Sequence, residues 1–388
     1  MGTLSPKVAS IVANIPYQLV NSSKPLIVGS SVRKYFSFDR EARAYEGKTG
    51  GILGYLSFGS RTEGFALIGL GKGKYKNELV ISVRGTKRIN DWVSNFNIGL
   101  KGSPNGSLGH AGFINTFHTL RPQIKQFLVS QKSMPKRIHC VGHSLGGALA
   151  SLIADWLKEE FSMRVNLYTF GAPRIGHESY SRKSESANDK IFRCTHGADP
   201  VPLIPLWPFQ HAPCSGREYR LDNSTGINAA THGMGPECSP GYVNTARAED
   251  WSALNIRSNH FLNTPVRLRF ENRNQVTFSE YWAGKLSAAL TTLLKDAGPQ
   301  HYNAIVIQSR VSSGLTFYDK LAQSLEKVAA ASKALTEQTI GLLGHMLAFA
   351  GRSVVEITKL NAKFIKWVFD ITLKKLYSAA HGAISLLD

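Results

Sequence analysis

Residues 137–157 read RIHCVGHSLGGALASLIADWL. Ile138–Val141 is an apolar run long enough for one buried strand. A tight Gly-His-Ser-Leu-Gly turn follows over 142–146. Ala148, Leu149, Leu152, Ile153, Trp156 and Leu157 then recur at helical spacing. Ser144 therefore stands in G-x-S-x-G, on a turn between a strand and a helix, the context that a nucleophilic serine requires. The sharp turn lifts the hydroxyl out of the sheet. Gly142 and Gly146 leave room for strained backbone and close helix packing. The helix N-terminus adds positive potential near a developing oxyanion.

Outward from this turn, strands and helices alternate. Gly64–Leu70 and Glu78–Val83 read as strands joined by a basic turn, and Arg33–Tyr45 as a short helix. Ala111–Val129 carries Phe113, Phe117, Leu120, Ile124 and Phe127 near one helical face, with Pro122 inside. Strands are expected at Val165–Phe170 and Ile191–Thr195, with a polar helix between them. The alternation predicts an α/β architecture: a mostly parallel sheet with helices on its faces. Residues 212–259 are rich in Gly, Pro, Ser and Asn without clear periodicity, which marks a functional or flexible segment. Pro265–Phe270 and Gln275–Phe278 are candidate strands.

From about Leu315 proline is absent, and the chain reads as two or three helices with breaks near Gly341, Gly344 and Gly351. The expected organisation is an α/β domain over 1–310 and a helical region over 315–388. In the last helix Lys359, Lys363, Lys366 and Lys374 share one face, and Leu360, Phe364, Trp367 and Ile371 the next. The reading is a helix packed on its own domain with Trp367 in the core; contact with a membrane surface or a protein partner is the alternative.

The chain has 388 residues, 43% hydrophobic, with a formal net charge of +19. That balance favours anionic partners. The Lys and Arg residues are not gathered into a nucleic-acid-type block, so a lipid surface is expected and nucleic acid is not. No segment reaches the 18 or so apolar residues of a spanning helix, and the N-terminus lacks a signal-peptide core. The chain is expected to be cytoplasmic as made, with export by a signal-independent route open. Cys140 and Cys194 lie in strand-like runs, whereas Cys214 and Cys238 flank a polar loop and could bridge or stay free.

A serine nucleophile needs a base, and the base an orienting carboxylate. Asp199 follows the strand Ile191–Thr195 in HGADPVPLIP, where a parallel sheet presents catalytic groups. Asp222 and Asp250 follow no clear core strand. The downstream histidines are His211, His232, His260 and His301. His232 stands in a glycine-rich loop and His301 beyond a helix. The choice falls to His211 or His260, and spacing does not settle it.

Five blocks, VISVRGTKRINDWVSNF, GHAGF, VGHSLGGALASL, YTFGAPRIG and GADPVPLIP, run in order over about residues 80–205. Together they resemble the class 3 lipases, the fungal-lipase-like branch of the α/β-hydrolases. The resemblance implies lipid ester hydrolysis through an acyl-enzyme, without metal or organic cofactor. It implies Ser144 as nucleophile, Asp199 as acid and, from SNHFLN, His260 as base, although Asn259 stands where the family often has an acid. His211, in PFQHAPCSGREY, would be structural. The same resemblance assigns the oxyanion hole to Thr86 and the N–H of Leu145, and a lid to Arg88–Phe96, with Trp92 and Phe96 over an acyl groove. A secreted antibacterial effector acting on phospholipid, or a non-enzymatic lipid-binding scaffold, are the alternative functions.

Overall fold

A computed structural model describes residues 2–20, 25–38, 44–49, 61–85, 99–257, 264–298, 301, 317–353 and 356–386. Nine strands form the main sheet: β1 (Phe36–Phe38), β2 (Ala44–Thr49), β3 (Arg61–Gly71), β4 (Glu78–Val83), β7 (Arg137–His143), β8 (Val165–Phe170), β9 (Lys190–Thr195), β10 (Glu218–Arg220) and β11 (Asn255–Arg257). The strand order is β1-β3-β4-β7-β8-β9-β10-β11, and β2 also pairs with β3. β4, β7, β8, β9 and β10 run parallel; β3 joins β4, and β11 joins β10, antiparallel. A separate hairpin pairs β5 (Leu100–Gly102) with β6 (Leu108–His110). This is the expected α/β architecture, a mostly parallel sheet with helices on both faces.

Side-chain alternation along the strands decides which face each residue buries. Leu79, Ile81, Val83, Ile138, Cys140, Val165 and Leu167 pack with the helices Ala111–Val129 and Leu145–Phe161. Val80, Val141, Tyr168, Phe170, Phe192 and Cys194 enter a second cluster on the opposite face, with Val8, Ala9, Val12 and Ala13 of the helix Pro6–Asn14. Polar bonds fix that N-terminal helix under the sheet. Ser82 Oγ donates to the Val12 carbonyl at 2.6 Å, and the Leu4 N–H donates to the Tyr168 hydroxyl at 2.9 Å. Burial on both faces is why these parallel strands are almost continuously apolar.

The C-terminal region forms the helices Phe317–Ala331, Lys333–Phe349 and Ala362–Ser385. Their buried residues belong to the same cluster as the sheet's helices and the helix Glu280–Asp296. The glycine breaks are placed differently from the sequence reading. Gly341 and Gly344 lie inside Lys333–Phe349 because another segment crosses there: a Cβ would stand 1.8 Å from the Leu268 carbonyl oxygen at one and 2.4 Å from the Phe270 ring at the other. Ser332 starts that helix, its side chain accepting from the Leu335 N–H, and Gly351 follows its end at φ 79°.

Trp367 is 46% exposed, which corrects its expected place in the core. Ile365, Val368, Phe369, Leu373 and Leu376 carry the packing, and Phe364 and Ile371 are half-buried flanks. Lys366 pairs with Asp370 at 2.7 Å and with Asp319 at 3.5 Å. Two further expectations are corrected. The helix in the Arg33–Tyr45 region is the single turn Ser30–Arg33, after which Phe36–Phe38 pairs with β3. Pro265–Phe270 and Gln275–Phe278 are not strands; the chain there lies against helices and forms a 3-10 turn over Phe270–Gln275.

Candidate active site

Ser144 sits between β7 and the helix Leu145–Phe161 at φ 56°, ψ −133°, a region that L-residues rarely adopt. The turn closes only because its neighbours lack side chains. A Cβ at Gly142 would stand 2.1 Å from the Gly146 carbonyl oxygen, and one at Gly146 would stand 2.2 Å from that of Val83. Leu145 is buried and opens the helix, so its N–H belongs to the first turn, which has no intrahelical acceptor.

Ser144 Oγ lies 2.8 Å from His232 Nε2, and His232 Nδ1 lies 2.8 Å from Asp199 Oδ2 and 3.0 Å from Oδ1. A carboxylate only accepts, so Nδ1 carries the proton and Nε2 presents its lone pair to the serine hydroxyl. Ser144 and His232 are fully buried, and Asp199 is 1% exposed. The sequence reading did not single out His232 as the base. The imidazole in reach of Ser144 is that of His232, whereas His260 lies outside the described residues. Thr86, Trp92 and Phe96 lie outside them too. His211, expected to be structural, donates from Nε2 to the Pro202 carbonyl at 2.7 Å, and burial holds its pKa well below the usual imidazole value.

His232 ends a 3-10 turn, Ala229–His232, in the long loop after β10. Sequence periodicity gives no sign of its placement; bonds to distant segments set it. The Asn228 N–H donates to the Ala198 carbonyl at 2.8 Å, and His196 Nδ1 donates to the Thr231 carbonyl at 2.6 Å. His143 Nε2 donates to the carbonyl of His232 itself at 2.8 Å. The other nitrogen of His143 lies 2.6 Å from the Tyr17 hydroxyl, which accepts from the Gly85 N–H at 3.0 Å. Burial first, and then the neighbouring His232, hold the His143 pKa well below the ordinary imidazole value. His143 is thus a neutral brace between the base and the chain end of β4. The signal available in the sequence was the length of the 212–259 segment.

Asp199 is held by three donors: His232, the Val201 N–H at 2.9 Å and the Tyr242 hydroxyl at 2.7 Å. Tyr242 also stacks on His196, with ring centroids 3.9 Å apart. Burial and the adjacent Asp199 charge push the Tyr242 pKa well above its usual value, so it remains a donor. Sequence reasoning missed this residue. A bond to a charged group contributes about 1.5–3 kcal/mol, so Tyr242→Phe should lower kcat by about 10- to 150-fold with KM nearly unchanged. Steady-state kinetics on a soluble ester would check this; an unaltered kcat would remove Tyr242 from the support of Asp199. Among the described residues no cluster of His, Cys, Asp or Glu is arranged to hold a metal ion. All four cysteines are free, and no helix of the described residues is long and apolar enough to cross a membrane.

Residues 80–209 match the family Lipase (class 3). The secreted mono- and diacylglycerol lipase 1 of Fusarium solani is 34% identical over 153 residues, covering 38% of this chain and 45% of that protein. The chloroplastic phospholipase A(1) DAD1 of Arabidopsis thaliana is 27% identical over 175 residues, covering 39% and 38%. The chain therefore spans less than half the length of either curated relative. The structure of the Rhizomucor miehei triacylglyceride lipase aligns with a TM-score of 0.42 and 19% identity, over 56% of this chain and 79% of that one.

Proposed function

We propose that this chain, whose residues 80–209 match the family Lipase (class 3), is a serine hydrolase that cleaves lipid carboxylic esters. One observation carries the reading: Ser144 Oγ, His232 and Asp199 stand in a continuous hydrogen-bonded line on a strained strand-helix turn. Ser144 Oγ attacks the ester carbonyl carbon while His232 Nε2 takes its proton. Asp199 fixes the Nδ1–H tautomer and stabilises the imidazolium. The Leu145 N–H, and Thr86 as the family resemblance assigns it, hold the oxyanion. The imidazolium then protonates the departing alcohol. Water, deprotonated by the same nitrogen, attacks the acyl-enzyme and releases the fatty acid.

Because Ser144 and His232 are fully buried, an ester reaches Oγ only after covering residues move. The family resemblance assigns such a lid to Arg88–Phe96. The net charge of +19 favours anionic phospholipid over neutral fat. A fluorophosphonate probe tests the chemistry: wild type should be labelled and Ser144→Ala should not. Absence of wild-type labelling in the presence of lipid would leave a lipid-binding scaffold instead. Rapid turnover of tributyrin with none of phosphatidylglycerol or phosphatidylethanolamine would reverse the substrate preference.

A further inference from the structure

Two cavities of about 360 and 310 Å³ lie between the β9–β10 end of the sheet and the helix Glu280–Asp296. They share Arg174, Arg193, His211, Gly216 and Gly284 in their walls. Ser144 and His232 line neither; Asp199 borders the second from behind. Arg174 and Arg193 are 9% and 6% exposed. A buried guanidinium is costly unless paired. Arg193 is only partly satisfied: Nη1 meets Glu218 at 2.8 Å and Nη2 donates to the Gly216 carbonyl at 3.0 Å, but Nε is buried with no partner. The Arg174 side chain donates only to the Pro205 carbonyl, at 3.2 Å, and no carboxylate pairs with it among the described residues. Burial, and next Arg193, lower its pKa to about 10, which leaves it charged at neutral pH.

A third unmatched donor lies in the wall of the larger cavity: Ser287 Oγ, buried and without a partner. Lys295 and Arg182 line it as well, and in this larger cavity Lys and Arg side chains outnumber carboxylates by two: Arg174, Arg182, Arg193 and Lys295 against Glu178 and Asp296. A ligand that completes this wall carries close to two negative charges and more than two acceptor oxygens. A carboxylate has too few of both; a phosphomonoester has enough, and guanidinium forks match its oxygens. We propose that this cleft is a phosphate-binding site, in which Arg174, Arg193, Ser287 and Lys295 receive a phosphomonoester group, either free or as a lipid headgroup. The assignment goes beyond ester hydrolysis and uses none of the atoms of the Ser144–His232 pair. The occupied site would also lie under the segment that carries the acid. Arg174 and His211 hold the carbonyls of Pro205 and Pro202, and the Val201 N–H bonds Asp199.

Titration calorimetry of the full chain with inorganic phosphate, in chloride buffer of constant ionic strength, tests the site. Saturable binding to one site is expected, weakened at least tenfold in Arg174→Gln. Lys295 is exposed on its helix, so Lys295→Glu keeps the fold and should weaken binding to a similar degree. Soluble dihexanoyl phosphatidic acid forms the second arm. Binding of both ligands supports a site for the phosphate group itself; binding of the lipid alone supports a headgroup site. Binding of neither ligand, or wild-type affinity in Lys295→Glu, overturns the proposal. Labelling by a fluorophosphonate should be unchanged in Lys295→Glu, so failure here is distinguishable from failure of the hydrolase reading.

Discussion

His232→Ala should lower turnover of a soluble ester by about 10⁴- to 10⁶-fold, with substrate binding little changed, because members of a triad act as a unit. The imidazole is the only side chain bonded to both Ser144 Oγ and Asp199 among the described residues. Its loss leaves the serine hydroxyl without an acceptor for its proton. The fold should survive: the peptide carbonyl of His232, which accepts from His143, remains after the substitution. His260→Ala should retain turnover within about tenfold, since it would remove no group in the line. Parallel kinetics on the two variants, each checked for folding by circular dichroism, decide the matter. Full turnover in His232→Ala together with loss in His260→Ala would restore the assignment made from the family pattern.

That assignment shows where local reading stops. The elbow strand and its helix were legible because glycine spacing, an apolar run and a 3.6-residue period coincide within 21 residues. β4 and β8 and the helix Ala111–Val129 were legible for the same reason, each burying a patterned face. Asp199 follows β9, a position a window can find. His232 has no such mark. Its place depends on His196, Ala198 and His143, which lie 34 to 89 residues away in the chain. Pro265–Phe270 failed in the opposite direction. Val266, Leu268 and Phe270 alternate as in a strand, but among the described residues no strand pairs with them. The Val266 N–H bonds Thr292 Oγ1, and Arg267 bonds Asp296, both on a helix. Gly341 and Gly344 were read as breaks because the segment that crosses them, Leu268 to Phe270, is remote in sequence.

Gly146→Ala should be damaging for a different reason, through the backbone that holds the site. The new Cβ would stand 2.2 Å from the Val83 carbonyl oxygen and 2.6 Å from the Arg84 carbonyl group, contacts no relaxed structure holds. Rotating a side chain does not help, because both obstacles are main chain. The helix cannot simply retreat. A Cβ added at Gly147 would stand 2.6 Å from the Ala172 Cβ, so chain already packs closely on that side too. The remaining response is for the Val83–Gly85 end of β4 to move away from the elbow. That end carries the Gly85 N–H bonded to Tyr17, the start of the brace through His143 to His232. Overpacking of this kind costs about 1–3 kcal/mol or more, which for a domain of this size lowers Tm by several degrees. A displacement of about 1 Å at reacting atoms costs about a hundredfold in rate. Gly146→Ala should therefore lose both Tm and turnover, whereas His232→Ala should lose turnover with Tm nearly kept. Calorimetric melting and ester kinetics on the pair separate the two cases. A Gly146→Ala protein with wild-type melting and wild-type rate would mean that β4 and the elbow are not in the close contact described here.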